Sequence, residues 1–172
     1  VITHQHADHM DADALKIIVA KNPSAVVLAN AQIRDQLDVP VEVFEAGTRQ
    51  VRGCRLTAIA AQHAALLNAP IPANVAYVVD DRMLHPGDSF DRSLDVRGIE
   101  LLALPVTAPW TTELGVAEFA LRLAPKKVFP IHDGYAKDFF LASRYDNYGK
   151  YFAKEGIEFV RLEKTGAALE SA

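Results

Sequence analysis

Four side chains able to bind a divalent metal fall within six residues near the start of the chain. They are His4, His6, Asp8 and His9, in the run Thr3-His4-Gln5-His6-Ala7-Asp8-His9. Imidazole and carboxylate are ligands that a borderline divalent ion takes without thiolate. Four such groups cannot all point one way from a strand, where only alternate side chains share a face. A loop at a strand end splays them, and Val1, Ile2 and Thr3 read as the end of that strand. His4 and His6 then suit one ion, and Asp8 and His9 a second. Two ions roughly 3.5–4 Å apart clamp one water or hydroxide between them, which is an arrangement for hydrolysis. A cluster of this kind has no use in packing.

Further candidates stand singly downstream. His63 follows an apolar strand in Ala61-Gln62-His63. Asp88 lies in Pro86-Gly87-Asp88-Ser89, and His132 in Phe129-Pro130-Ile131-His132. Taken alone, His63 reads as a buried structural histidine and Asp88 as a turn residue. His85, three residues before Asp88, reads either as a group that fixes Asp88 or a bound anion, or as a half-exposed strand residue. Trp110 and Tyr135 flank loops that carry chemistry. Phe139, Phe140, Tyr145, Tyr148 and Tyr151 read as packing of a long helix.

The opening run resembles the T-H-x-H-x-D-H signature loop of the metallo-β-lactamase superfamily. The later landmarks agree in order and approximate spacing: a lone histidine after a strand, an aspartate in a G-D-[ST] turn, and a histidine after a strand ending at proline. The resemblance covers nearly the whole chain. It implies that His4, His6 and His63 hold one metal, that Asp8, His9 and His132 hold the other, and that Asp88 bridges them. It implies two divalent ions, zinc by default, with manganese or iron also fitting the donors. It makes Asp8 the catalytic residue, holding a metal-bridging hydroxide and accepting its proton. The fold it implies is α/β, an αββα sandwich with the loop at its edge.

Two details narrow the resemblance. His6 stands where the redox di-iron relatives carry glutamate, which favours hydrolysis. Met10-Asp11 departs from the His-x-Gly-Gly common in glyoxalase II, RNase Z and true β-lactamases. It looks more like the branch of L-ascorbate-6-phosphate lactonase and N-acyl-phosphatidylethanolamine phospholipase D. The expected activity is metal-dependent cleavage of a lactone, ester or phosphodiester. The rival expectation is a metal-binding scaffold or ligand sensor of the same fold with little turnover.

The chain's 172 residues suit a single domain, residues 1–172. A net charge of −4 gives no basis for a nucleic-acid surface. No apolar run approaches the ~20 residues of a membrane span. The one cysteine, Cys54, rules out an internal disulfide and a thiolate metal cluster. A small-molecule substrate and a cytoplasmic setting are expected, though a periplasm also fits.

The elements that must position these residues follow from pattern and punctuation. A helix to residue 21 is capped by Asp11, with Leu15, Ile18 and Val19 as its buried face. Strands are expected at 25–29 and 41–44, with a helix capped by Asn30 between them. A run through 48–61 is interrupted at Gly53, read as a bulge. A hairpin over 74–84 turns at Asp80-Asp81. The end alternates: strand 99–104, a helix to 123 capped by Thr111 or Thr112, strand 127–131, helix 136–154, strand 157–162, and a frayed tail after Thr165. With only three residues before its first ligand, the chain reads as an N-terminally truncated member whose first sheet is incomplete. Its loop 4–9 should then be held less firmly than His63, Asp88 and His132, and the open edge favours a homo-oligomer.

Overall fold

In the computed structural model of the chain, residues 1–162 are described, so the tail after Thr165 lies outside the described residues. The chain divides into two compact units, Val1–Leu94 and Asp95–Ala172.

In the first unit, helix α1 (Ala12–Lys21) begins directly after the histidine-rich loop. Asp11 starts it: the carboxylate accepts the backbone N–H groups of Asp13 at 3.0 Å and Ala14 at 2.9 Å. Strand β1 (Leu28–Ala29), the short helix α2 (Ala31–Arg34) and strand β2 (Glu42–Val43) follow, and β1 pairs with β2 in parallel. Both strands are shorter than the apolar runs that announce them. Strands β3 (Gly47–Val51), β4 (Cys54–Ala60), β5 (Val75–Val79) and β6 (Met83–His85) then form an antiparallel meander. Between β3 and β4 the two turn residues Arg52 and Gly53 both have positive φ, 53° and 86°. That is the backbone of a two-residue hairpin whose twist matches its strands, so Gly53 closes a hairpin and is not a bulge. Asp80 and Asp81 turn β5 into β6, also at positive φ, where short polar side chains are tolerated.

The first unit's core gathers Leu28, Phe44, Leu56, Ala58, Val75 and Tyr77. Burying a large apolar side chain of this kind contributes about 1.5–3 kcal/mol. The Tyr77 hydroxyl donates to the carbonyl of Phe44 at 3.2 Å and lies 3.4 Å from that of Ile2. The chain before the histidines is thereby tied down. Ile2 donates to the Leu28 carbonyl at 2.9 Å, and the Thr3 carbonyl accepts from Val75 at 3.0 Å.

Helix α1 differs from expectation. It holds no buried residue: Leu15 and Val19 are half-buried and Ile18 is 54% exposed. Apolar spacing shows which face a helix can bury, but not that a partner covers it.

The second unit alternates strand and helix. Strands β7 (Leu101–Pro105), β8 (Lys127–Ile131) and β9 (Glu158–Phe159) pair in parallel, in that order. Parallel neighbours need crossovers, which α3 (Glu113–Leu123) and α4 (Asp138–Lys154) supply. Thr112 caps α3 by accepting from Gly115 at 3.0 Å, and the helix buries Val116, Ala117, Phe119, Ala120 and Leu123. On α4, Tyr148 is buried and stacks on Phe152, four residues on, and Tyr145 is half-buried. Phe139, Phe140 and Tyr151 are exposed, against the packing role expected of them. They lie off the stripe of 141, 145, 148 and 152 that one helix face presents. Among the described residues no helix is long and apolar enough to cross a membrane.

Candidate metal centre

The loop after Thr3 folds back on itself. The N–H groups of His9 and Met10 both donate to the carbonyl of His6, each at 2.9 Å. This turn gathers three rings. His4, fully buried, has its Nε2 at 3.1 Å from Nδ1 of His6, and its ring centroid is 4.0 Å from that of His9. The Thr3 hydroxyl lies 3.1 Å from Nδ1 of His4 and 3.5 Å from Nδ1 of His9.

Two further segments of the first unit meet this loop. One leaves the end of β4 and carries His63; the other leaves the end of β6 and carries Asp88. They are bonded to each other three times. Ala64 donates to the Asp88 carbonyl at 2.8 Å, the Ser89 hydroxyl to the Gln62 carbonyl at 2.7 Å, and the Gln62 N–H to the Asp91 carboxylate at 3.0 Å. As a result His4, His6, His63 and Asp88 each offer a ligand atom within 4.8 Å of the others. The Asp88 carboxylate divides its oxygens. Oδ2 lies 3.6 Å from Nε2 of His63 and 4.0 Å from Nε2 of His4. Oδ1 lies 3.2 Å from Nε2 of His9, which is itself 3.6 Å from the carboxylate of Asp8.

The electrostatics keep His4 and His63 neutral. Burial, reinforced by the neighbouring His9, pulls the pKa of His4 down to about 3, and burial lowers that of His63. Nδ1 of His63 donates to the Ala64 carbonyl at 2.6 Å, which leaves the lone pair on Nε2. That nitrogen is buried with no hydrogen-bond partner among the described residues. A buried acceptor without a donor is uncommon and calls for an explanation. A divalent cation provides one, since it takes neutral imidazole nitrogens and a carboxylate together. The donor set therefore fits a metal.

His85 stands beside these groups. Its Nδ1 accepts the N–H of Gly87 at 3.1 Å, bracing the turn that carries Asp88, and burial holds its pKa down at about 4.

His132 belongs to the second unit. It follows β8 directly with φ at 61°, a left-handed conformation uncommon for non-glycine residues. Its Nδ1 bonds to the Thr107 carbonyl at 2.6 Å. Trp110 and Tyr135 flank it, with ring centroids at 6.3 and 5.8 Å. The next residue, Asp133, accepts from the Tyr145 hydroxyl on α4.

Sequence reasoning missed the polar residues that hold the ligand segments in place: Asn74, Thr3, Ser89 and Asp91. One signal was present. Asparagine is disfavoured in strands, yet Asn74 heads the apolar run Val75-Ala76-Tyr77-Val78-Val79.

The family model described as the beta-lactamase superfamily domain matches residues 1–132. Protein Rv0786c of Mycobacterium tuberculosis is 32% identical over 141 residues, covering 77% of this chain and 65% of that protein. A UPF0173 metal-dependent hydrolase of Methanocaldococcus jannaschii, MJ1163, is 29% identical over 144 residues, covering 76% and 64%. The chain thus spans a little under two thirds of the length of these curated relatives. Among solved structures, one from Parabacteroides distasonis named for metal-dependent hydrolysis superposes with a TM-score of 0.72 at 22% identity, over 93% of this chain and 73% of that one. The α/β metallo-β-lactamase-like fold is thereby shared. By the match over residues 1–132, this chain belongs to the metallo-β-lactamase superfamily.

Proposed function

We propose that the chain is the working domain of a metal-dependent hydrolase that uses two divalent ions, zinc first among them, to cleave a lactone, ester or phosphodiester of a small molecule. The observation that carries this reading is the divided carboxylate of Asp88, one oxygen facing His63 and His4 and the other facing His9. That is the disposition of a bridging ligand. His4, His6 and His63 are the candidates for one ion. Asp8 and His9 are candidates for the second, with His132 added on the strength of the family resemblance. When bound, such a pair supplies a Lewis acid for the scissile carbonyl or phosphoryl oxygen and a water acidified to near neutrality.

The protein's own groups do the rest. His63 and His4 are held neutral and buried, so their lone pairs are available at neutral pH. The Asp8 side chain is more open, 29% exposed against 5% for Asp88, which suits a carboxylate that takes a proton from a reacting water. An open cavity of about 380 Å³ borders His63, with Asn30, Glu45 and Gln62 on its walls. Its size suits a small-molecule site. The name of MJ1163, a metal-dependent hydrolase, supports the same reaction class.

The test is a screen of lactone, ester and phosphodiester substrates with zinc-, manganese- and iron-loaded protein, with a chelated control. Turnover of at least one class, lost on chelation and restored by metal, is expected. Folded protein that binds divalent metal yet turns over none of the three supports the scaffold or sensor reading instead.

A further inference from the structure

Asn74 is 5% exposed, and its carboxamide is committed three times over. Nδ2 donates to the carbonyls of Ala61 and Pro86, each at 3.1 Å, and Oδ1 accepts the N–H of Asp88 at 3.2 Å. Ala61 is two residues before His63, and Pro86 is two before Asp88. One side chain therefore spans the two segments that carry the buried ligands. It fits without slack. Gly87 has φ at 62°, and a Cβ placed there would lie 2.0 Å from the Asn74 oxygen. A second buried asparagine extends the brace. Asn30 donates to the Ala73 carbonyl at 2.9 Å, lies 3.4 Å from the Thr3 carbonyl, and accepts from Ile33 at 2.9 Å. It links the residue before His4 to the residue before Asn74.

Few side chains could replace Asn74. Two donors and an acceptor are needed at one short reach. Aspartate keeps the shape and the acceptor but loses both donors, placing a carboxylate oxygen against two carbonyls. Glutamine brings a methylene for which the contact with Gly87 leaves no room. Leucine leaves the Ala61 and Pro86 carbonyls buried without a donor.

We infer that Asn74 is a positioning residue of the metal centre: by bonding Ala61, Pro86 and Asp88 at once, it sets the separation of His63 from the Asp88 carboxylate. This rests on the metal-centre reading above. Outer groups that orient ligands typically contribute 10–100-fold in metal affinity. The loss expected from disturbing Asn74 is of that size, with the fold retained.

The experiment is a chelator-competition titration of zinc and a cobalt absorption spectrum on wild type, Asn74→Asp and Asn74→Ala. Circular dichroism of each metal-free protein is recorded alongside. Wild type tests the metal-centre reading, since no binding there ends that reading and leaves nothing for Asn74 to position. If wild type binds, Asn74→Asp should bind zinc about 10–100-fold more weakly. Its cobalt complex at saturation should show shifted visible bands, which loss of stability alone does not produce. Wild-type affinity and spectrum in a folded variant would overturn the proposal. Should Asn74→Asp fail to fold, Asn74→Ala is read the same way, because it removes the bonds without adding charge. Failure of both to fold would make Asn74 a folding residue and overturn the positioning role.

Discussion

The candidate centre has two walls built on different plans. His63 and Asp88 ride on segments bonded to each other through Ala64, Ser89 and Asp91, with Asn74 between them. The loop 4–9 is closed by short-range bonds: two N–H groups share one acceptor, the His6 carbonyl, and the Thr3 hydroxyl sits between the Nδ1 atoms of His4 and His9, while Gln36 donates to Gln5 from outside the turn. The first wall is cross-linked between distant stretches of chain, whereas the second is a local turn anchored at Thr3. The cross-linked wall holds Asp88, the group that both ions would share. The turn holds Asp8, the more open carboxylate, where proton transfer needs access to water. On the proposed reading, a fixed reference on one side and an accessible base on the other would divide the labour of hydrolysis.

The largest effect should come from the cross-linked wall. Asp88→Asn keeps the shape but removes the charge, and should weaken zinc binding by more than about 100-fold, above the range of groups that merely orient ligands. Chelator competition measures it, and near-wild-type affinity would show that Asp88 is not a ligand. On the turn, Asp8→Ala should lower turnover by at least about 10²-fold, the low end for a general base. Circular dichroism should show the fold intact. Unchanged turnover would take Asp8 out of the chemistry. Thr3→Val, which removes the shared hydroxyl but keeps the volume, should cost about tenfold in metal affinity. No change would mean that the turn orients its rings without Thr3.

A smaller effect concerns pH in the metal-free protein. His4 and His85 titrate at about 3 and about 4 when folded, below the ordinary 6.5, because burial disfavours the charged ring. Between those values and 6.5 the unfolded chain binds more protons than the folded one. The stability is therefore full above pH 6.5 and is lost as pH falls through the folded values. The melting temperature should drop steadily from pH 7 to pH 4, and a flat profile would contradict the burial of these rings as neutral groups.

What the sequence disclosed is what lies close together along the chain. The ligand loop is legible because His4, His6, Asp8 and His9 fall in one short run. The caps Asp11 and Asn30 are legible because a cap acts within three residues, and the cap of α3 is legible to within the pair Thr111 and Thr112, of which Thr112 is the one used. Strand β8 is legible from an apolar run bounded by Pro125 and the histidine that ends it. The rest depends on contacts between distant positions. Asn74 gains its role from Ala61 and Pro86, 13 and 12 residues away, which no local pattern joins. The exposure of α1 and of Phe139 is of the same kind, since the pattern is local and the covering partner is not.

The central claim is that Asp88 is shared by two ions, one of which depends on His63. Native mass spectrometry of zinc-loaded protein tests it most directly. Wild type should carry the mass of two zinc ions, His63→Ala of one, and Asp88→Asn of neither. A folded wild type that carries no zinc, or a His63→Ala variant that keeps both ions, would contradict the account.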